Sequence, residues 1–206
     1  GCPRGWVAVL VDDEGFRNAR VFPDAATLAA GLPEAAVICV DLPIGLPGQG
    51  LRRADEEARA LVGSRLFLMF PRDVLLADTH PEAVERARAS LGRGISLQAY
   101  RLRAKVLDLE LHLDRRMAET HPELAFLAMK GARLPSKHTW NGLNERRVLL
   151  AREGIELPHP LARGDDVPPE DMLDAAAAAW SARRVARGDY LVLPADAADG
   201  EPRIVF

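Results

Sequence analysis

The hydrophobic and polar positions along the chain predict strands that alternate with helices. An apolar run at residues 6–11, turn residues at 12–15 and a loosely alternating stretch at 16–22 predict a β-hairpin. A short Ala- and Leu-rich helix begins at Pro23-Asp24, and the apolar run at 35–40 then predicts a strand buried on both faces. This alternation places the chain in the α/β class.

Helical patterns fill most of the remaining chain. Helices are predicted at residues 51–62, 81–91, 96–117, 123–129, 141–153 and 168–187, and closing strands at 190–193 and 203–206. The helix at 96–117 is long and amphipathic, because Leu97, Leu102 and Val106 recur at near-helical spacing. Residues 64–70 fit either a loop or a short strand. Since no linker or repeat interrupts the chain, we predict one domain over residues 1–206 with a helical insertion at about 51–117.

Composition and charge exclude several classes of protein. With 206 residues, 48% hydrophobic and 28% charged, the chain fits an ordinary globular domain. Its longest apolar runs have six residues, so we expect no membrane span. The net charge of −3 provides no overall positive field, so any contact with nucleic acid must be local. Two cysteines without a CxxC pair, and no signal peptide, favour a cytoplasmic location.

Carboxylates stand at the ends of several predicted elements. Asp41 ends an apolar strand and precedes a Pro- and Gly-rich loop, a position where α/β sheets often place their sites. Glu119 lies near a second strand, and Asp171 and Asp174 share one face of the last helix. If these acids converge, a hard divalent cation such as Mg²⁺ or Mn²⁺ would stabilise them. Alternatively, Asp171 only complements the helix dipole and Asp174 is a solvated acid.

Cationic groups suited to an oxyanion occur in two places. Lys137 lies among hydroxyl-bearing residues just before a predicted helix start, with Arg146 further along that helix. Arg52 and Arg53 follow the loop after Asp41, and for Arg52 a solvated surface is the favoured interpretation. The chain has 24 Arg and three Lys, and because a GC-rich genome also produces such a ratio it is weak evidence for phosphate binding.

His121 lies two residues from both Glu119 and Glu123. This spacing fits a metal site or a base held by a carboxylate, but a structural or hydrogen-bonding role is the favoured interpretation, because no HxxxH or HxH partner is present. No GxSxG motif, Walker loop, strand-linked GxGxxG motif or zinc-spaced cysteine set is present. Hydrolases with a catalytic triad and nucleotide-dependent kinases are therefore disfavoured.

Ordered sequence blocks recur along essentially the whole chain. The blocks are GCPRGW at 1–6, DLPIGLP at 41–47, Arg53, Asp55, Arg59, Gly63, ISLQA at 95–99, ETHPE at 119–123, Ser136-Lys137 and DMLDA at 171–175. Together they resemble the DUF429 family, whose members are described as predicted nucleases with an RNase H-like fold. The resemblance implies an RNase H-like three-layer fold, in which helices flank a mixed central sheet.

The same resemblance bears on the start of the chain. In an RNase H-like fold a central strand carries an acid, and the family pattern places an Asp just before the Gly-Cys at residues 1–2. We therefore expect the native gene to encode an apolar strand ending in Asp directly before Gly1. Asp12 and Asp13 do not replace that acid, because they lie at the far end of a strand roughly 20 Å long at about 3.3 Å per residue.

The resemblance implies metal-dependent hydrolysis of phosphodiester bonds in DNA or RNA by a two-metal mechanism. The expected catalytic carboxylates are Asp41, Glu119, Asp171 and Asp174, with Asp41, Glu119 and Asp174 as ligands of Mg²⁺ or Mn²⁺. Arg53, Lys137 and Arg146 are expected to bind substrate, and His121 and Glu123 to orient the ligands from behind. The main alternative is a non-catalytic protein that binds nucleic acid or phosphate. An actin-like phosphotransfer enzyme is disfavoured, because two nucleotide-binding halves need a longer chain.

Overall fold

Two pairs of strands pack on a long C-terminal helix in the computed structural model, which describes residues 1–161 and 166–206. The strands are β1 (Trp6–Asp12), β2 (Gly15–Phe22), β3 (Ile38–Val40), β4 (Met117–Glu119), β5 (Val192–Leu193) and β6 (Ile204–Val205). The helices are α1 (Ala25–Ala30), α2 (Arg53–Val62), α3 (Arg72–Leu75), α4 (His80–Leu91), α5 (Leu97–Leu111), α6 (Pro122–Lys130), α7 (Trp140–Arg152) and α8 (Pro169–Arg187). The α/β class predicted from the sequence is confirmed.

The predicted β-hairpin is confirmed. Strands β1 and β2 pair in antiparallel fashion from Trp6 opposite Phe22 to Asp12 opposite Gly15, with an irregularity after Leu10. Asp24 then caps α1, because its side chain accepts a hydrogen bond from the Thr27 amide. The first strands and helix thus follow directly from the sequence pattern.

Strands β3 and β4 are parallel, with Val40 opposite Glu119. A hydrogen bond of 2.9 Å from the Thr120 amide to the Val40 carbonyl continues the pairing by one residue. Because parallel strands end at the same edge, Asp41 and Glu119 emerge on the same side of this small sheet. The predicted strand at 35–40 is shorter than expected, since regular pairing begins at Ile38.

The helix predicted at 96–117 is too long. Helix α5 ends at Leu111, and a turn follows in which the Asp114 carboxylate accepts a hydrogen bond of 2.8 Å from the Arg116 amide. This turn redirects the chain into β4, and Leu113, which prolonged the apolar periodicity, is 45% exposed. Residues 64–70, left open between loop and strand, begin with a 3₁₀ turn at Gly63–Arg65 and have no strand.

The last predicted helix agrees closely with α8, which ends where Gly188 adopts a left-handed conformation. Its apolar face is buried, and Leu173, Ala176, Ala177 and Trp180 belong to one core cluster with Val7 and Val9 of β1. The helix also contacts β3, so it underlies both strand pairs. No helix in the described part of the chain has the length and apolar character needed to span a bilayer.

The strands do not form the single mixed central sheet that the sequence predicted. Within residues 1–161 and 166–206 they form three two-stranded sheets, in which β1 pairs only with β2 and β3 only with β4. A groove of about 780 Å³ lies between β1 and β3. The groove separates the β1–β2 pair from the β3–β4 pair.

Candidate functional site

Three charged side chains from separate parts of the chain meet in one cavity of about 480 Å³. Asp41 follows β3, Asp174 lies in the second turn of α8, and Lys137 belongs to the loop before α7. The Lys137 Nζ donates a hydrogen bond to the Asp174 Oδ2. Asp171, one turn before Asp174, also lines this cavity. All four predicted carboxylates thus line this cavity, and three of them, Asp41, Asp171 and Asp174, lie around the lysine.

The carboxyl groups in this cluster are hard to ionise. Burial raises the pKa of Asp41 to about 6, although the positive charge of Lys137 opposes the shift. Burial, together with the negative charge of Asp41, raises the pKa of Asp174 to about 6. Burial raises the pKa of Asp171 as well. Because pH 7 is above the pKa values of Asp41 and Asp174, these two carboxyl groups are nevertheless mostly ionised at neutral pH. The cluster therefore holds more negative charge than its lysine compensates.

Lys137 responds to the same environment in the opposite sense. Burial alone would lower its pKa, but the carboxylates of Asp174, Asp41 and Asp171 raise it. The ammonium group is consequently charged at neutral pH and stays beside Asp174. It contacts the Oδ2 atom of the Asp174 carboxylate.

Glu119, the fourth predicted carboxylate, also lines the cavity, and its carboxyl group belongs to a buried network beside the Lys137 cluster. It accepts hydrogen bonds of 2.7 Å from the Ile44 amide and 2.5 Å from Arg52 Nη2. Asp55 lies 3.7 Å from the same guanidinium nitrogen and accepts a hydrogen bond from the Met69 amide. Burial raises the pKa of Glu119 to about 8 despite the charge of Arg52. In this position Glu119 anchors the loop that follows Asp41.

A second buried network supports the Lys137 loop. Arg146 is fully buried and donates hydrogen bonds to the carbonyls of Pro135, at 3.0 Å, and Gly142, at 2.8 Å. Its other terminal nitrogen contacts Glu123, which also accepts from Arg65 at 2.6 Å. The two arginines lower the pKa of Glu123 although burial opposes the shift. Arg146, predicted to contact substrate, thus lies behind the loop and fixes its path.

Gly142 allows this loop to approach α7 closely. A Cβ atom built at Gly142 would lie 2.0 Å from the Ser136 carbonyl oxygen and 2.9 Å from the Pro135 carbonyl oxygen. Thr139 caps the helix by accepting a hydrogen bond of 3.2 Å from the Gly142 amide. The missing side chain is therefore what lets Lys137 lie against α8.

His121 caps α6 and lines the same cavity. Its Nδ1 accepts a hydrogen bond of 3.3 Å from the Glu123 amide, so the neutral ring carries its proton on Nε2. Burial lowers the pKa of His121, although the charge of Asp174 opposes the shift. His121 is therefore a neutral hydrogen-bond donor at the cavity.

Arg53, predicted to bind substrate, lies outside the cavity. Its guanidinium pairs with Glu201 at 2.9 Å and with Asp196 at 3.0 Å, near the C terminus of the chain. These carboxylates raise its pKa above its ordinary value. Arg53 thus connects α2 to the segment between β5 and β6.

Sequence reasoning missed the role of Arg52. The sequence favoured a solvated surface for this residue, but only 3% of it is exposed and it binds Glu119. Two of its nitrogens, Nε and Nη1, are buried without a hydrogen-bond partner among the described residues. Its position between a Gly-rich loop and a helix that carries Asp55 was the only sequence signal for this network.

The donors in the cavity suit a divalent cation held by two carboxylates. Among residues 1–161 and 166–206, no group of three or more His, Cys, Asp or Glu side chains is arranged to hold a metal ion. Mg²⁺, however, commonly binds through one or two carboxylates and takes its other ligands from water and substrate phosphates. Asp41 and Asp174 provide such a pair, and their raised pKa values reflect unrelieved burial and repulsion that a cation would offset.

The chain belongs to the DUF429 family. Residues 1–199 match the family described as "Protein of unknown function (DUF429)", in agreement with the sequence blocks identified above. No curated protein and no solved structure matches the chain. The family description assigns no activity, so a functional interpretation depends on the site.

Proposed function

We propose that this protein is a divalent-metal-dependent nuclease that hydrolyses phosphodiester bonds of DNA or RNA. The observation that carries the proposal is the meeting of the Asp41 and Asp174 carboxylates, from β3 and α8, in one cavity beside Lys137. The two groups interact, because the charge of Asp41 raises the pKa of Asp174. Acids whose pKa is raised by burial and by a neighbouring acid are typical of sites that bind cations or catalyse reactions.

In this proposal Asp41 and Asp174 hold Mg²⁺ or Mn²⁺, and Asp171 contributes further negative charge. The cation supplies a water of lowered pKa and neutralises charge on the phosphate. It also removes the electrostatic obstacle to binding, since a chain of net charge −3 otherwise repels nucleic acid. Glu119 acts indirectly in this scheme, because its hydrogen bond to the Ile44 amide fixes the loop that begins at Asp41.

The remaining residues of the cavity bind and orient the substrate. Lys137, which pairs with Asp174 in this structure, would donate to a phosphate oxygen of the substrate. His121, neutral at pH 7 and protonated at Nε2, donates a hydrogen bond to a second oxygen. Arg146 and Glu123 hold the Lys137 loop in place from behind.

The proposal includes an RNase H-like fold. Its support is the antiparallel hairpin β1–β2, the parallel pair β3–β4, and the acids placed at the end of β3 and on the last helix. In the proposed fold, the groove between β1 and β3 would correspond to the position of the acid-bearing central strand. Active sites in this plan lie at the strand ends, as Asp41 does here.

The direct test is cleavage of labelled single-stranded and double-stranded DNA and RNA by the purified protein with Mn²⁺ or Mg²⁺. We expect cleavage with either ion and none with EDTA. Asp41→Asn and Asp174→Asn should each reduce the rate by more than about 100-fold. Asp199→Asn, at an exposed acid distant in sequence from the site, is the matched control and should retain full activity.

Metal binding provides a readout that does not depend on activity. Isothermal titration with Mn²⁺ should show binding to the unaltered protein and to Asp199→Asn, and loss of binding in Asp41→Asn and Asp174→Asn. An unaltered protein that binds no Mn²⁺ and cleaves no substrate, while control nucleases do, would overturn the proposal.

A second candidate function is phosphate or nucleic-acid binding without catalysis. It is favoured by the ion pair of Lys137 with Asp174, since this cluster already compensates part of its charge without a metal. In that case oligonucleotide binding should survive EDTA and the Asp41→Asn substitution. A nuclease should instead lose activity under both conditions.

A further inference from the structure

Phe67 contributes an aromatic ring to the cavity that holds Asp41 and Asp174. It lines the cavity, 38% of it is exposed, and it belongs to none of the three apolar core clusters of the described chain. Leu66 and Met69, close to it in the same segment, are only 3% exposed. The ring therefore lies outside the core, with surface available to a ligand.

Helix α2 holds the segment that carries Phe67 on both sides of the ring. Arg59 donates a hydrogen bond of 3.1 Å to the Leu66 carbonyl, and the Asp55 carboxylate accepts one of 2.8 Å from the Met69 amide. Asp55 is buried, so the second of these hydrogen bonds is shielded from water. Because both flanking positions are fixed, Phe67 is already ordered on the cavity wall, and a ligand that contacts it pays little to order the segment.

Helix α5 contributes an amide and an apolar side chain to the same cavity. Gln98 and Leu102 lie one turn apart on this helix, and both line the cavity. Gln98 is exposed, and its side chain has no hydrogen-bond partner among residues 1–161 and 166–206. Since an amide both donates and accepts hydrogen bonds, as the edge of a nucleobase does, Gln98 is suited to bind such an edge.

The size and depth of the cavity suit one nucleotide rather than a double helix. Its volume of about 480 Å³ lies within the range of roughly 300–1,000 Å³ that is typical of sites for single small molecules. Asp174 is 9% exposed and Glu119 6%, so a phosphate reaches these carboxylates only if its nucleotide enters the cavity. A base inside a duplex is stacked on both faces and paired at its edge, so it is not available to Phe67 or Gln98.

We infer that the substrate enters this site as an unpaired nucleotide of a single strand, with its base stacked on Phe67 and its edge bonded to Gln98. Its phosphate then lies at Asp41, Asp174 and Lys137. Stacking on an aromatic ring accepts any base, because every base has a π face, so the inference concerns strandedness and not sequence. It rests on the proposed function, because it requires that the site bind nucleic acid.

The test uses three labelled probes of equal length: a single strand, the same strand in a blunt duplex, and an abasic single strand. Fluorescence anisotropy measures binding, and initial rates with Mn²⁺ give kcat/KM for cleavage. Both the affinity and kcat/KM should be at least about tenfold higher for the single strand than for the duplex or the abasic strand.

Three variants isolate the ring. Phe67→Leu keeps an apolar side chain but should weaken binding of the single strand by about 5- to 150-fold, as expected for loss of one base–aromatic stack, and leave binding of the abasic strand unchanged. Phe67→Tyr keeps the ring and should retain the affinity. Leu97→Ala is the matched control, since Leu97 is 46% exposed on α5 and does not line the cavity. Mn²⁺ binding should be unchanged in all three variants, because none of them alters a carboxylate.

Two results would overturn the inference and leave the nuclease proposal standing. One is equal cleavage of the single strand and the duplex, and the other is equal affinity of Phe67→Leu and the unaltered protein for the single strand. If the unaltered protein neither binds nor cleaves any of the probes, the proposed function itself is wrong, and the inference falls with it.

Discussion

The Nζ of Lys137 donates a hydrogen bond to the Oδ2 of Asp174, and this contact joins residues 37 positions apart. It is the only ammonium contact of Asp174 within the described residues, and Asp41 and Asp171 add to the charge around it. The same ammonium group can pair with the Asp174 carboxylate or with a substrate phosphate. Replacing Lys137 therefore has opposite expected effects on metal binding at Asp174 and on phosphate binding.

We therefore predict that Lys137→Gln weakens oligonucleotide binding. The slope of the logarithm of the binding constant against the logarithm of salt concentration should fall by the amount expected for about one phosphate contact. Mn²⁺ binding by the same variant should be equal or tighter, because no ammonium competes at Asp174. Fluorescence anisotropy over a range of salt concentrations, with Mn²⁺ titration, measures both effects. Lys130→Gln is the matched control, since Lys130 pairs with Glu145 on an exposed part of the surface. Equal salt dependence in the two variants would contradict the assignment.

Asp41 should make the stability of the metal-free protein depend on pH. Its pKa is about 6 in the folded protein against an ordinary 3.8, so the folded state binds more protons between these values and its stability falls as pH rises. Asp41→Asn removes this penalty and leaves the Lys137–Asp174 pair intact. We expect the variant to be more stable than the unaltered protein by about 2 kcal/mol at about pH 8, and equally stable at about pH 4. Urea denaturation of both proteins measures this difference in the free energy of unfolding. An equal difference between variant and unaltered protein at the two pH values would contradict the prediction.

The buried pair of Arg52 and Glu119 predicts a strong dependence of stability on both partners. Arg52→Met leaves the Glu119 carboxyl buried without its cation and should cost about 3 kcal/mol. The double substitution Arg52→Met with Glu119→Gln should recover part of this loss, since no uncompensated charge remains. Urea denaturation of the single and double variants measures the coupling. A cost below about 0.5 kcal/mol for Arg52→Met would show that the pair is not important for stability.

The close approach at Gly142 predicts that an alanine substitution destabilises the protein at this position but not at Gly48. Gly142→Ala places a Cβ 2.0 Å from the Ser136 carbonyl oxygen, so the loop must move. We expect a loss of about 2 kcal/mol or more in the free energy of unfolding. Gly48→Ala is the control, because a Cβ at Gly48 meets no atom within 4 Å. Similar melting temperatures for the two variants would contradict this interpretation.

The sequence predicts the elements of this fold well where local signals are strong. The hairpin β1–β2, the capped helix α1 and the Gly-terminated helix α8 all follow from periodicity, turn residues and caps. The i,i+3 spacing of Asp171 and Asp174, and a strand that ends at Asp41, also indicated that these acids approach each other. The predicted end of α5 was wrong, because the apolar periodicity of the sequence continues past the turn at Asp114.

The sequence pattern did not predict which side chains contact each other within the site. Glu119 binds Arg52 only because the Gly-rich loop after Asp41 folds back over β4, and no periodicity encodes the path of such a loop. Arg146 and Arg147 are adjacent and chemically alike, yet one is fully buried and the other exposed. Which of them faces the core depends on the rotation of α7, which tertiary packing decides.

The missing side chain at Gly142 has a consequence for how this chain tolerates variation. Helix α7 and the Lys137 loop touch through backbone atoms alone at this point, so no compensating change in a neighbouring side chain relieves an added methyl group. Substitution of Gly142 is thus restricted by the backbone geometry. This contact places no such restriction on substitution of Lys137 or of the carboxylates beside it.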